Sequence, residues 1–226
     1  MPTLKLFDTL TALPLFKGMG HDELSRLAGR TKFDFIKLQA GRMAVCCGQP
    51  TGRLLMLAGG RLQAKTYSAD GAYCITEEID APYTIEPERL FGLHQASAST
   101  FTALTDANLI AISKVEVARL CDEFIAFRLN LLNLLATEAQ RRAERLWLAP
   151  PSDLRGRIAG FVTARCLTPR GRKQVSILME RLAAEVNDSR LDVSHALKSM
   201  RDAGLIEQGR GLITIPDIER LTDGLK

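Results

Sequence analysis

Arg190, Ser194, His195, Lys198 and Arg201 recur at intervals of one, three and four residues. On a helix such spacings gather on one side. Their shared chemistry is donation of hydrogen bonds to an acceptor-rich or anionic partner. Arg190 can give a bidentate pair to guanine O6 and N7, Ser194 and His195 can reach base edges, and Lys198 can meet a phosphate. Val193, Leu197 and Met200 fall between them and are expected to point inward. Ser189 and Asp192 predict a capping box at the start of this helix. The exposed helix N-terminus, with the Ser189 hydroxyl, also suits a phosphate. Asp192 is read as a cap rather than a base reader.

The residues upstream supply the frame. Leu178, Leu182, Ala183 and Val186 are expected to form the packing face of a preceding helix. Asn187-Asp188 tolerates the backbone angles of a tight turn. The two helices have a helix-turn-helix texture. Arg170, Arg172 and Lys173 lie just before them and add positive charge. The competing reading is a fold used only for protein contacts, with these charges as a solvated face.

A second stretch, LFGLHQASAST at residues 90–100, carries one glycine at a turn, one of three histidines, and small hydroxyls. It contains no Asp, Glu, Lys or Arg. His94 is the one residue here with ligand chemistry, since a neutral imidazole suits iron. The bland alternative is a histidine that caps or fills a loop.

These stretches need scaffolds. Residues 3–30 read as short helices broken at Lys17-Gly18-Met19-Gly20. From 32 to 112, short apolar runs alternate with turn signals: FDFIKL, RLLMLA before Gly59-Gly60, RLQAKTY, YCITEEI, and FTALTDANLIAI. Such spacing predicts an antiparallel barrel or jelly roll. Residues 114–149 hold no Gly or Pro, and Leu120, Phe124, Phe127, Leu131, Leu134, Leu135 and Leu146 repeat at three and four. One long helix is expected, and its length suggests packing on its own copy in a homodimer. Ala149-Pro150-Pro151-Ser152-Asp153 marks a boundary, with Ser152 as the next N-cap. The segment LIEQGRGLITIPD reads as a hairpin turning at Gly209-Arg210-Gly211. The fold class is therefore α+β. It comprises a β-roll at 1–113, a long helix expected to dimerise at 114–149, and a winged helix-turn-helix at 150–226.

Composition narrows the function classes. The chain has 226 residues and a net charge of +4. Residues 151–226 carry 13 Lys/Arg against 10 Asp/Glu, so the excess leans to the C-terminal third. Cys46, Cys47, Cys74, Cys121 and Cys166 are odd in number and form no C-x-x-C pair, which argues against zinc and all-cysteine clusters. Buried thiols in a reducing cytoplasm are expected, and the vicinal pair Cys46-Cys47 leaves a thiol sensor as a lesser option. No paired carboxylates, Ser-His-Asp set or phosphate loop stands in a supporting context, so no enzyme is expected. The N-terminus lacks a signal-peptide pattern, and no run of about 18 apolar residues suggests a membrane span.

A roll, a long helix and a winged helix-turn-helix in this order resemble the Crp/Fnr family of bacterial transcription regulators. The resemblance is carried by LPLFKGM, DELSRLA, LLMLAGGRLQAK, LFG at 90–92, TALTDANLIAISK, GRIA at 156–159 and SRLDVSHALKSMRDAGLI. It implies a cytoplasmic homodimer on a near-palindromic double-stranded DNA site, with RNA polymerase as a further partner. The DNA contacts expected are Lys173, Ser189, Arg190, Leu191, Ser194, His195 and Lys198. Many members carry Glu and Arg where this chain has Leu191 and His195, so a different operator is expected. Leu191 could touch a thymine methyl and His195 could donate to guanine.

In cyclic-nucleotide-binding members the clasp reads Phe-Gly-Glu and later Arg-Ser or Arg-Thr. Here Leu93 follows Phe91-Gly92, and Ser97-Ala98-Ser99-Thr100 holds no Arg. On the long helix, Arg142-Ala143 stands where those members have Thr-Ser. Without the Arg, the charge-assisted contact to a cyclic phosphate is gone, and no useful cyclic-AMP affinity is expected. An effector pocket would draw on Phe91, Gly92, Leu93, His94, Ser97, Ser99 and Thr100, with Leu131 and Leu135 of the long helix. Carbon-monoxide-sensing haem members place an axial histidine three residues after a similar Phe and also use an N-terminal proline. His94 and Pro2 match those places, and haem with CO or NO is the resulting cofactor candidate. A second haem-using branch, the nitrosative-stress regulators, offers the same precedent. A ligand-binding or docking module without specific DNA activity is the alternative function.

Overall fold

A computed structural model describes residues 3–147, 149 and 151–223. Pro2 and Pro150, singled out above, lie outside them. Two compact units emerge, Met1–Leu62 with Asp80–Arg141, and Gln63–Ile79 with Arg142–Lys226. Residues 63–79, which the strand pattern assigns to the N-terminal domain, pack with the C-terminal unit.

The first unit opens with helices α1 (Thr3–Ala12) and α2 (His21–Arg30), joined by a short 3-10 turn at Pro14–Phe16. The α2 start is fixed by Glu23, whose carboxylate accepts the Gly20 backbone N–H at 3.0 Å. Strands β1 (Asp34–Leu38), β2 (Met43–Val45) and β3 (Arg53–Gly59) follow, and β4 (Arg61–Tyr67) begins here. The β3–β4 turn needs glycine: Gly60 has φ +86°, and a Cβ would meet the Asp106 carbonyl oxygen at 2.3 Å. After β5 (Tyr73–Asp80) come β6 (Tyr83–Ile85), the one-turn α3 (Glu88–Phe91), β7 (Ser99–Ala103) and β8 (Ala107–Ser113). Within this unit β1, β8, β3 and β6 form one antiparallel sheet in that order, and β2 pairs with β7. The expected roll is present.

The long helix is not continuous. Helix α4 (Lys114–Glu123) ends at Phe124, and α5 (Ile125–Arg145) restarts behind it. Phe124 adopts φ −123° and ψ 107° and buries its ring. The break costs little. The Phe124 N–H still reaches the Leu120 carbonyl at 2.9 Å, and the Phe124 carbonyl still accepts the Arg128 N–H at 3.1 Å. Burying the ring contributes about 1.5–3 kcal/mol, which outweighs the irregular turn. Phe124, Phe127 and Leu131 are thereby committed to the core of this unit with Leu10, Phe16 and Met56. The Phe16 and Phe127 rings sit 5.4 Å apart.

The second unit holds α6 (Leu154–Arg165), β9 (Lys173–Ile177), α7 (Met179–Glu185), α8 (Arg190–Asp202), β10 (Glu207–Gly209), β11 (Leu212–Ile215) and α9 (Ile218–Asp223). The N-cap of α6 is Asp153, which accepts the Gly156 N–H at 3.2 Å, rather than Ser152. Strands β10 and β11 form the expected wing hairpin. The sheet does not stop there. β11 pairs with β9, and β9 pairs antiparallel with β5 from Tyr73↔Ile177 to Glu77↔Lys173. Ile75 of β5 joins the core made by Phe161, Val175, Leu182, Leu197 and Ile213.

Candidate nucleic-acid interface and effector cavity

Helix α8 separates its two faces as the periodicity predicts. Val193, Leu197 and Met200 have no solvent exposure, while Arg190, Leu191, Ser194, His195 and Lys198 are all exposed. The turn before it uses Asn187 at φ 51°, a left-handed conformation that Asn tolerates. Ser189 caps the helix by accepting the Asp192 N–H at 3.1 Å, and its hydroxyl donates to the Asp192 carboxylate at 2.6 Å. The box is therefore not reciprocal. The Ser189 N–H goes to the Asp188 carboxylate at 2.8 Å instead. Arg157 ties the turn down by pairing with Asp188 and donating to the Val186 carbonyl at 3.2 Å. Arg190 makes one loose, exposed ion pair with Glu180 at 3.6 Å, which leaves its guanidinium available for an incoming partner. Leu178 is a correction: it precedes α7 as the N-cap residue and points outward, 66% exposed, so Leu182, Ala183 and Val186 alone carry the packing face.

Lys173 is a second correction. Its side chain has no solvent exposure and its Nζ donates to the Glu77 carboxylate and the Thr168 hydroxyl, each at 2.7 Å. That ammonium is spent inside the protein and cannot meet a phosphate in this conformation. Glu77 also accepts the backbone N–H groups of Leu167 and Thr168 at 2.6 and 3.1 Å. Arg172 pairs with Glu78 at 3.0 Å. Of the basic cluster before the helices, Arg170 and Arg172 stay exposed, Arg172 in its pair with Glu78. The residue overlooked in the sequence is Arg210, exposed at the tip of the wing hairpin; its place between two turn glycines was the available signal.

The stretch 90–100 divides. Leu90, Ser97 and Ser99 are buried, but Phe91, Leu93 and His94 are exposed, Leu93 at 93%. The Lys114 ammonium lies 5.2 Å from the Phe91 ring centroid and donates to the Gln95 side chain at 2.8 Å. Gly92 has a packing reason, since a Cβ there would meet the Glu88 carbonyl at 2.5 Å. Thr100 accepts the Cys47 N–H at 3.1 Å. Leu131 is buried in the core described above, and Leu135 is partly buried against it.

A cavity of about 330 Å³ opens in the roll beside Leu90 and Ser97, walled by Val45, Leu54, Ile85 and Glu86. Neither residues 91–94 nor Leu131 and Leu135 line it. Glu86 is a second residue overlooked in the sequence. It is 5% exposed, and its carboxylate accepts the Ser97 hydroxyl at 2.6 Å and the Ala98 backbone N–H at 3.2 Å to each oxygen. A cyclic phosphate does not fit this wall. The donors that would face an anion already serve a buried carboxylate, and the lining Arg53 pairs with Asp34 at 3.1 Å. Haem does not fit either. The lining offers iron no imidazole, thiolate, thioether or phenol, and His94 stands in solvent.

On α5, Ile125, Leu129 and Leu132 form a second apolar stripe on the exterior, with Leu129 52% and Leu132 54% exposed. The stripe expected to face a partner copy is instead buried at Phe124, Phe127 and Leu131. Among the described residues no helix is long and apolar enough to cross a membrane, and no group of three or more His, Cys, Asp or Glu side chains could hold a metal ion.

Residues 156–223 match the family of Crp-like helix-turn-helix domains. The chain is similar to the catabolite activator protein of Thermus thermophilus at 22% identity. That match covers 94% of this chain and all of the other, with a TM-score of 0.53. It is also similar to the sensor domain of the transcriptional regulator DNR from Pseudomonas aeruginosa. Identity there is 20% over 63% of this chain and 93% of that one, with a TM-score of 0.52. No curated protein matches the chain.

Proposed function

We propose that this chain, with a Crp-like helix-turn-helix domain over residues 156–223 and the fold of a catabolite activator protein, is a DNA-binding transcription regulator of the Crp/Fnr type that reads an operator through α8 as a homodimer and answers to a small effector other than cyclic AMP. The observation that carries the reading is the division of α8 into a fully buried face and an exposed donor face. Arg190 is placed to pair with guanine. Ser194 and His195 reach base edges, Leu191 reaches a thymine methyl, and Lys198 and Arg210 hold phosphates; both Ser189 donors already serve Asp192 and Asp188. The stripe Ile125, Leu129 and Leu132 joins two copies. Two recognition helices then meet successive major grooves about 34 Å apart. The further partner implied by the resemblance is RNA polymerase.

The effector reading rests on the cavity beside Glu86, whose wall suits neither a cyclic phosphate nor haem. Selection from random double-stranded DNA with the full chain tests the function. Enrichment of an inverted repeat with half-sites one helical turn apart is expected. Recovery of random sequence would favour a docking module instead.

A further inference from the structure

Glu86 is held in place against two backbone preferences. Its φ of 39° lies in the left-handed region, which a non-glycine residue rarely enters. Pro87 follows it, and a residue before proline favours extended angles. Strain of this kind persists where the surrounding structure needs the side chain in one place. Here it aims a carboxylate into the wall of the cavity in the roll.

That carboxylate is buried with no compensating charge. Among the described residues no Lys, Arg or His nitrogen lies within ion-pairing distance of it. Buried charges are ordinarily paired. The Ser97 hydroxyl has a single proton, yet it faces two acceptors, the Glu86 carboxylate at 2.6 Å and the Ser99 carbonyl at 2.8 Å. The Ala98 N–H sits 3.2 Å from both carboxylate oxygens. The rest of the wall combines the apolar Val45, Leu54, Ile85 and Leu90 with Gln49, Thr51 and Arg53, and the Arg53 guanidinium is turned to Asp34 at 3.1 Å rather than to Glu86. What the cluster lacks is a positive charge that brings hydrogen-bond donors.

The geometry points to a small organic cation as the effector class: an ammonium, amidinium or guanidinium head on Glu86, with a short apolar body against Val45, Leu54 and Leu90. The cavity, at about 330 Å³, is at the small end of ligand sites. A guanidinium would give two parallel donors to the carboxylate and leave the Ser97 proton to the Ser99 carbonyl. This inference rests on the reading of the roll as the effector domain.

Butylguanidinium, butyrate and cyclic AMP are the probes, titrated into the full-length protein while backbone amide NMR signals are followed. Butylguanidinium is expected to shift the Ser97 and Ala98 amides in a saturable way, and the two anions are not. Glu86→Gln should weaken the cation at least tenfold. If that variant does not fold, the comparison of cation with anions on the wild type still decides. Tighter binding of butyrate or cyclic AMP, cation binding unchanged in Glu86→Gln, or no saturable shift at Ala98 overturns the assignment. The wild-type operator selection is scored separately. A selected operator with no cation response sinks the ligand class alone, whereas no operator sinks the regulator reading.

Discussion

Lys173 and Glu77 lie 96 residues apart and form an ion pair at 2.7 Å with essentially no solvent exposure on either side chain. The pair closes the end of the β5–β9 ladder and so fixes residues 63–79 to the unit that carries α8. Three contacts add to it. Arg181 reaches Asp70 at 2.8 Å, Arg165 donates to the Tyr73 hydroxyl at 2.8 Å, and Arg172 pairs with Glu78.

Removing one partner of such a pair leaves the other buried and uncompensated. Lys173→Ala is expected to cost about 3–5 kcal/mol in urea unfolding. A paired replacement, Lys173→Met with Glu77→Leu, removes both charges and is expected to recover most of that loss. A double variant no more stable than Lys173→Ala would show that the charges themselves hold the strand.

Arg190→Ala is expected to weaken operator binding by about 1–3 kcal/mol and to relax preference at one base position. Lys198→Ala should weaken all sequences alike and shallow the salt dependence by about one phosphate contact. Fluorescence anisotropy at several salt concentrations separates the two. Equal effects on specific and random DNA for Arg190→Ala would remove it as a reader.

Leu129→Glu with Leu132→Glu places charge on the exposed stripe of α5 without touching Phe124, Phe127 or Leu131 in the core. Sedimentation should turn from dimer to monomer with thermal stability of the monomer fold retained. A double variant that stays dimeric would move the interface elsewhere.

Asp70 titrates below the ordinary carboxylate range because the Ser68 hydroxyl and the Ala72 N–H donate to it, with Arg181 adding attraction. A folded-state value below the unfolded one stabilises the protein above the unfolded value, and the gain is lost as pH falls through the folded one. Docking of the 63–79 hairpin is therefore expected to loosen with acid below about pH 4. Asp70→Asn should flatten that part of the stability profile; an unchanged acid limb would contradict it.

Thiol reactivity should divide by environment. Cys46 and Cys47 are exposed, Cys74 and Cys166 are buried, and burial pushes the Cys121 thiol up. A mild alkylating agent is expected to label Cys46 and Cys47 first, read by mass spectrometry. Early labelling of Cys121 would contradict the packing of α4.

The helix-turn-helix was legible because its signals are local. Apolar spacing, a capping serine and an Asn turn all lie within 16 residues, 187–202, and each acts on its own backbone. The break at Phe124 was not legible, since no Gly or Pro marks it and the gain lies in tertiary burial of the ring. Lys173 read as a phosphate contact because a basic run looks alike whether or not a distant carboxylate waits for it. The short run YCITEEI marked β5 correctly as a strand but could not name β9 as its neighbour. Glu86 was not legible because a single Glu before Pro carries no periodic signal; its buried place appears only once Ser97 and Ala98 fold against it.

The central claim is that α8 reads sequence. The most direct measurement is the affinity of wild type and Arg190→Ala for the selected inverted repeat and for a scrambled duplex at one fixed salt concentration. Wild type is expected to prefer the repeat by at least a thousandfold, and Arg190→Ala to lose about tenfold or more of that preference. Equal affinity of the wild type for both duplexes would contradict it.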